Sequence, residues 1–306
     1  GLLQPLADGG KFFFKEDYTP QNAEKFLFIL GPSLVMFISL ITGAVIPWGK
    51  TLNFGGISYD LQVANIDVGV LFIIGMASIG VYGIMIGGWA SNNKYSLLGA
   101  IRASSQMISY ELAMGLALLS IIMMTGSLDL KVITETQTTG KIWGLFELDG
   151  MNWNILYQPL AFLIFFVAAL AETNRHPFDL PECESELVTG YSTEYSSMKL
   201  GLYMFSEYIN MFVSSALMAA LYFGGYNFPF MYDLGLSENW ITIIGVLVFF
   251  LKIFGFIFFF MWIRWTLPRF RYDQLMNLGW KILIPLAIAN IVLTGVITLI
   301  KDTYFQ

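Results

Sequence analysis

The 306-residue sequence holds a single cysteine, Cys183, and a single histidine, His176. No disulfide can form within the chain, and no metal centre of repeated Cys and His ligands can be assembled from it. A glycine-rich phosphate loop between strand and helix is also missing. Flavin or iron–sulfur centres, if electrons pass nearby, belong to another chain. Charge is equally scarce. Asp, Glu, Lys and Arg make up 12% of the residues, about half of the roughly 25% found in soluble domains. Disorder, which needs the opposite composition, is excluded.

What is abundant is apolar surface. Hydrophobic residues reach 56% and mean hydropathy is +0.65, more than a water-soluble chain of this length can hide in one core. The 15 Met and 27 Phe fit lipid-facing and interhelical packing. A bilayer core of about 30 Å takes roughly 20 apolar residues to cross as a helix. Seven segments are expected to do so: 26–46, 68–90, 105–125, 155–171, 200–223, 240–265 and 282–300, the fourth being short. The fold class is all-α, a polytopic transmembrane helical bundle. Residues 1–25 form a separate amphipathic segment, and residues 26–306 form the bundle, with an acidic loop at 172–198.

Basic residues orient the array. With residues 1–25 on the cytoplasmic side, that side holds Lys11, Lys15, Lys25, Lys94, Arg102, Arg175, Lys199, Arg264, Arg269, Arg271 and Lys281. The opposite side holds Lys50, Lys131, Lys141 and Lys301, and Lys252 falls inside a span. The excess places the N-terminal segment on the cytoplasmic side.

Three features depart from membrane filler. Glu111 lies about 10 Å and Glu207 roughly 12 Å below the inner surface at 1.5 Å per residue, and Lys252 leaves about 12 Å of core beneath it. All three are expected in the inner half of the membrane, where an isolated charge costs about 3 kcal/mol. Snorkelling or structural pairing is the plainer reading for any one of them. A common depth favours a proton relay, because burial and neighbouring charge tune a carboxyl in opposite directions. The second feature is the loop from Glu172 to Glu194, with Glu172, Asp179, Glu182, Glu184, Glu186 and Glu194 against Arg175. A helix start capped by Asp179, with Pro181 and Glu182 in its first turn, accounts for part of this. It does not account for Glu186, which repels Glu182 at i, i+4. Third, GLLQPLADGGKFFFKE (1–16) interleaves Leu and Phe with Gln4, Asp8, Lys11 and Lys15, as an interfacial segment does.

Together the strings GLLQPLADGGK (1–11), ANIDVGVLF (64–72), GVYGIMIGGWASNNKYSLLGAIRASSQMISYELAMG (80–115), AETNRHPFDLPECESELVTGYSTEYSSMK (171–199) and LPRFRYDQLMNLGWK (267–281) resemble one family. It is the quinone-site membrane subunit of respiratory complex I, the H subunit of bacterial NADH:quinone oxidoreductase and subunit 1 of the mitochondrial enzyme. That family has eight spans, so its first helix, which precedes GLLQPLADG, is expected to be missing from this chain. His176 and Cys183 fall where the family tolerates several residue types, and neither is given a role.

The resemblance implies a subunit without a redox centre of its own, in a proton-translocating NADH:quinone oxidoreductase. A proton path is implied through Asp8, Glu16, Glu111, Glu172, Glu182, Glu184, Glu186, Glu194 and Glu207, to which the position of Lys252 adds a further candidate; Asp67 ranks lower. A quinone tunnel is implied beside Gln4, Arg175, Phe178, Arg264, Arg269 and Asp273. Quinone, as ubiquinone or menaquinone, is the expected substrate, with FMN, iron–sulfur clusters and NADH carried by partner subunits. Expected partners are quinone-site peripheral-arm subunits, small membrane subunits, antiporter-like subunits and membrane lipid, with no nucleic acid. The expected location is the bacterial cytoplasmic membrane rather than the mitochondrial inner membrane. The membrane subunit of energy-converting hydrogenases is the nearer alternative, and a free-standing transporter the more distant one. The strings at 171–195 and 271–281 favour the quinone branch, and no inverted repeat supports a transporter.

Overall fold

The computed structural model describes residues 1, 3–138, 152–179, 189–229, 231, 235 and 237–304. Glu182, Glu184, Glu186 and Cys183 lie outside the described residues, as does the helix start expected after Asp179. The described chain is helical apart from one hairpin. Its helices are α1 (Gln4–Phe14), α2 (Lys25–Thr42), α3 (Gly69–Ala90), α4 (Lys94–Thr125), α5 (Leu130–Thr136), α6 (Asn154–Tyr157), α7 (Pro159–Glu172), α8 (Ser197–Tyr222), α9 (Glu238–Thr266), α10 (Tyr272–Asn277) and α11 (Ile284–Tyr304). A π-helical turn, Leu278–Leu283, joins the last two into one rod.

Six helices among the described residues are long and apolar enough to cross a membrane, and they fall on six of the seven expected segments. The seventh, α7, has 14 residues, short of the roughly 20 a full crossing takes. It is also among the better-shielded elements, with Ala161, Ala168, Ala169 and Ala171 fully buried. Small side chains let α4 and α8 approach it closely, and α7 packs on both. At α9 the balance reverses. Leu247, Leu251, Phe254, Phe258 and Trp265 are exposed, an outward apolar face suited to lipid.

Local chemistry sets the boundaries. Asn93 caps α4, its side chain accepting from Tyr95 N at 3.0 Å. That cap starts the helix at Lys94, well before residue 105, so Glu111 lies roughly 26 Å along α4 from the helix start. Gly126 closes α4 at φ 72°, with its N–H on Ile122 O; the left-handed position favours glycine. Between α2 and α3 lie strands β1 (Thr51–Phe54) and β2 (Ile57–Asp60), antiparallel with Phe54 opposite Ile57. The turn is Gly55-Gly56 at φ 60° and 84°, the pairing a two-residue hairpin prefers.

The end of the bundle bearing α1 is termed the inner end and the opposite one the outer end. At the inner end Phe12 packs edge-on against Phe205 of α8 at 6.3 Å, and Ser197 Oγ donates to Phe12 O at 3.0 Å.

Candidate functional site: carboxylates around an internal cavity

The site begins with the crossing of α2, α3 and α8. Glycines bring α2 and α3 together and leave room for tyrosine hydroxyls. Tyr203 Oη donates to Gly83 O at 3.2 Å, and Tyr195 Oη lies 3.1 Å from Phe28 O and 3.2 Å from Gly87 O. A Cβ at Gly87 would collide with Tyr203 Oη and fall 3.0 Å from Tyr195 Oη. Tyr191 and Tyr195 each meet the Tyr203 ring edge-on at 5.1 Å. Burial pushes the Tyr195 phenol up to about 12, so it stays protonated and donates.

This aromatic cluster leads to Glu207. Tyr191 Oη donates to Glu207 Oε1 at 3.2 Å. Arg175 Nη2 lies 3.9 Å from Glu207 Oε2, with both side chains nearly buried, and the guanidinium stacks 4.3 Å from the Tyr208 ring. A narrow internal cavity of about 50 Å³ runs between α2, α3, α4, α7 and α8, and both Glu172 and Glu207 line it. One water needs about 10–15 Å³ on such a measure, so the space admits a short water file. Asn174, Tyr191 and Asn210 supply further polar lining.

Glu111 is not among the residues lining this cavity, although Met107 and Met114, one turn to either side of it on α4, are. Its carboxyl is held by Ser78 of α3 and sits within Coulombic reach of Glu172. It faces a wide apolar opening of about 850 Å³, lined among others by Ile74, Tyr82, Met85, Leu112 and Trp280. Glu194 lines a separate pocket. Asn93 Nδ2 donates to its Oε1 at 2.6 Å, and the surrounding pocket of about 490 Å³ includes Tyr18, Gln21 and Lys94.

The remaining expected residues divide clearly. Phe178 is buried against Tyr110 at 5.5 Å and Phe270 at 5.6 Å. Arg269 pairs with Asp179 at 3.0 Å, and His176 lies 3.4 Å from the same oxygen. Burial lowers the proton affinity of the His176 ring; Asp179 opposes that shift, and Arg269 and Arg264 add to it. Arg264 joins Arg175, Tyr208 and Phe260 along a thin crevice. Gln4 lies 3.4 Å from the Asp8 carboxylate. The bonded Lys11 ammonium holds that carboxyl below its ordinary range. Glu16 is exposed and meets Ser196 through its backbone oxygen. Asp67 and Asp273 are exposed, away from the cavity.

Lys252 turns away from the Glu207 and Glu111 carboxylates. Its ammonium donates to Phe223 O, Gly225 O and Asn227 O at 2.7, 2.8 and 2.6 Å, where α8 ends on the outer side. Phe223 is sixteen residues beyond Glu207, roughly 24 Å along the helix. The Lys252 ammonium therefore joins neither Glu207 nor Glu111. Its register within α9 did not foretell this, because a long side chain reaches along the membrane to the carbonyls freed by a helix end.

Sequence reasoning missed Gln106, Asn93, Ser78 and the tyrosine cluster. Gln106 and Ser78 carried a usable signal, being polar residues within apolar helices.

The fold and the site define a polytopic helical membrane protein with titratable groups gathered around an internal cavity. The chain belongs to the family described as NADH dehydrogenase, whose model matches residues 1–295. It is 64% identical over 295 residues to a protein of Cytophaga hutchinsonii named as an H subunit of NADH-quinone oxidoreductase, covering 96% of this chain and 83% of that one. It is 58% identical over 302 residues to the H subunit of NADH-quinone oxidoreductase from Flavobacterium psychrophilum, covering 98% and 85%. The corresponding H subunit of Thermomicrobium roseum is 50% identical over 299 residues, covering 98% and 84%.

Proposed function

We propose that this chain is the membrane subunit of a proton-translocating NADH:quinone oxidoreductase, joining the tunnel by which quinone enters to the start of a proton path. Support for the complex comes from its relatives, named as H subunits of NADH-quinone oxidoreductase, at 64% and 58% identity over nearly the whole chain. Support for the path comes from one observation: Glu172 and Glu207 open onto the same internal cavity, with Arg175 beside Glu207.

Quinone passes from the bilayer along the inner end, beside Gln4, Arg175, Phe178, Arg264, Arg269 and Asp273, to a reduction site shared with partner subunits. Those partners carry NADH, FMN and iron–sulfur clusters and supply the electrons. Reduction to quinol consumes protons as well as electrons, and the acidic loop answers the change in charge. Glu194 beside Asn93, Glu207 and Glu172 on the cavity, and Glu111 at the lateral opening relay that change toward antiporter-like subunits. Asp8, Glu16 and the loop carboxylates Glu182, Glu184 and Glu186 guard the approach from the cytoplasm. Glu207 suits the central role, because a cation, a phenol and a water-sized space meet at its carboxylate. Lys252, bonded to fixed carbonyls at the outer end, is left out of the path. The complex sits in a bacterial cytoplasmic membrane, with α1 on the cytoplasmic side.

Glu207→Gln, studied in membranes, tests the relay. Quinone reductase activity and proton pumping should fall, while NADH oxidation by an artificial soluble acceptor and complex assembly persist. Pumping at the normal rate with Gln at this position would remove Glu207 from the path.

A further inference from the structure

We infer that Gln106 is a positioning residue that clamps both arms of the 172–178 loop and thereby sets Arg175 against Glu207, which rests on the role proposed above for that pair. Gln106 is fully buried on α4. Its Nε2 donates to Ala171 O in the last turn of α7 and to Phe178 O seven residues later, both at 2.8 Å. One planar carboxamide thus spends its two N–H groups on two carbonyls that bracket the loop. Inside the bracket, Arg175 N donates to Leu170 O at 3.3 Å and Phe178 N to Arg175 O at 2.8 Å. The enclosed turn delivers the Arg175 guanidinium to Glu207 and Tyr208.

Other contacts hold the far arm. Phe270 N donates to Pro177 O at 3.2 Å, and Arg269 pairs with Asp179. Asn174 N also reaches Ala171 O, at 3.4 Å, from within the loop itself. Gln106 differs in tying the two arms to a third element, α4, which carries Glu111 five residues on. Tyr110, one turn along the same face, extends the grip: its hydroxyl donates to Leu275 O at 2.9 Å and its ring packs on Phe178. The geometry demands an amide of this length. Met fills the space without donors, Glu presents acceptors to the two carbonyls, and Asn is one methylene too short to reach both.

The test uses the assembled complex carrying Gln106→Met, which preserves size, with Gln106→Asn as a milder variant should Met impair assembly. Hydrogen exchange of the 173–179 peptide should quicken by about tenfold as the bracket opens. Quinone turnover should fall, with oxidation of NADH by a soluble acceptor intact. On an Arg175→Ala background the same change should bring no further loss of turnover, because its effect runs through Arg175. Unchanged exchange at 173–179 would overturn the clamp. Faster exchange with a full additional loss on the Arg175→Ala background would overturn positioning through Arg175. Should Arg175→Ala alone retain quinone turnover, the functional reading of that residue fails, and peptide exchange still decides the clamp.

Discussion

The two ends of α8 handle buried charge in opposite ways. At the outer end, polar side chains are aimed at backbone. Lys252 donates to three carbonyls that follow the helix. Gln137 donates to Ala220 O at 2.8 Å and accepts from Gly224 N at 2.8 Å, and Asn154 donates to Leu221 O at 2.7 Å. These bonds answer groups that every helix terminus leaves open, and they fix one arrangement. At the inner end Tyr203 and Gln106 also bond backbone, but the charged pair, Arg175 and Glu207, face each other, and Glu207 lines a cavity. Arg175 approaches Glu207 at 3.9 Å, beyond hydrogen-bonding distance, and its Nε and Nη2 have no hydrogen-bond partner among the described residues. An ionisable residue in a membrane helix is therefore not functional by depth alone. What it faces decides whether it is a bolt or a moving part.

Lys252→Met should break the outer end and give the largest effect. Three carbonyls lose their donor, at roughly 1 kcal/mol or more each. Complex recovered from membranes should drop sharply, and whatever assembles should unfold at lower temperature. Normal assembly with selective loss of pumping would instead make Lys252 part of the relay and erase the contrast.

Gly87→Ala attacks the inner end by volume. The added methyl meets Tyr203 Oη and crowds Tyr195 Oη, and overpacking of this kind costs about 1–3 kcal/mol. Thermal unfolding of the complex should register it, together with reduced quinone turnover as Tyr203 shifts. Tyr191→Phe is gentler. It removes the hydroxyl bonded to Glu207 and keeps the ring against Tyr203, so stability should change by about 1 kcal/mol or less. Proton pumping should fall severalfold while assembly stays normal. Equal losses in stability and pumping would mean that the inner cluster is as structural as the outer one.

Composition and apolar runs located six membrane helices because lipid imposes a length and a hydropathy on each. They also located Glu111 and Glu207 as costly residues. The partners were not legible. Gln106 reaches carbonyls 65 and 72 positions away, and Asn93 reaches Glu194 across 101; periodicity says nothing about such pairings. The partners of Lys252 were hidden for a related reason. Its backbone depth is set by register, whereas its ammonium goes wherever unpaired carbonyls await it. The hairpin at Gly55-Gly56 carried a readable turn signal in its paired glycines.

The smallest effect concerns His176, and its sign follows from burial. The ring loses proton affinity on folding mainly through desolvation, a shift resisted by Asp179 and reinforced by Arg269 and Arg264. A histidine whose folded value lies below its unfolded one leaves stability intact above the unfolded value near 6.5. That contribution is lost as pH falls toward and through the folded value, where the ring must charge beside two guanidiniums. The ring keeps partial contact with solvent, which limits the effect through screening. Acidifying the complex from pH 7 to about pH 5 should loosen the Arg269–Asp179 junction slightly, read as faster exchange in the 173–179 peptide. His176→Gln should flatten that component of the pH response. A response of the same size in the variant would assign it to the carboxylates of the inner cluster, and the loop would then sense protons through the groups that carry them.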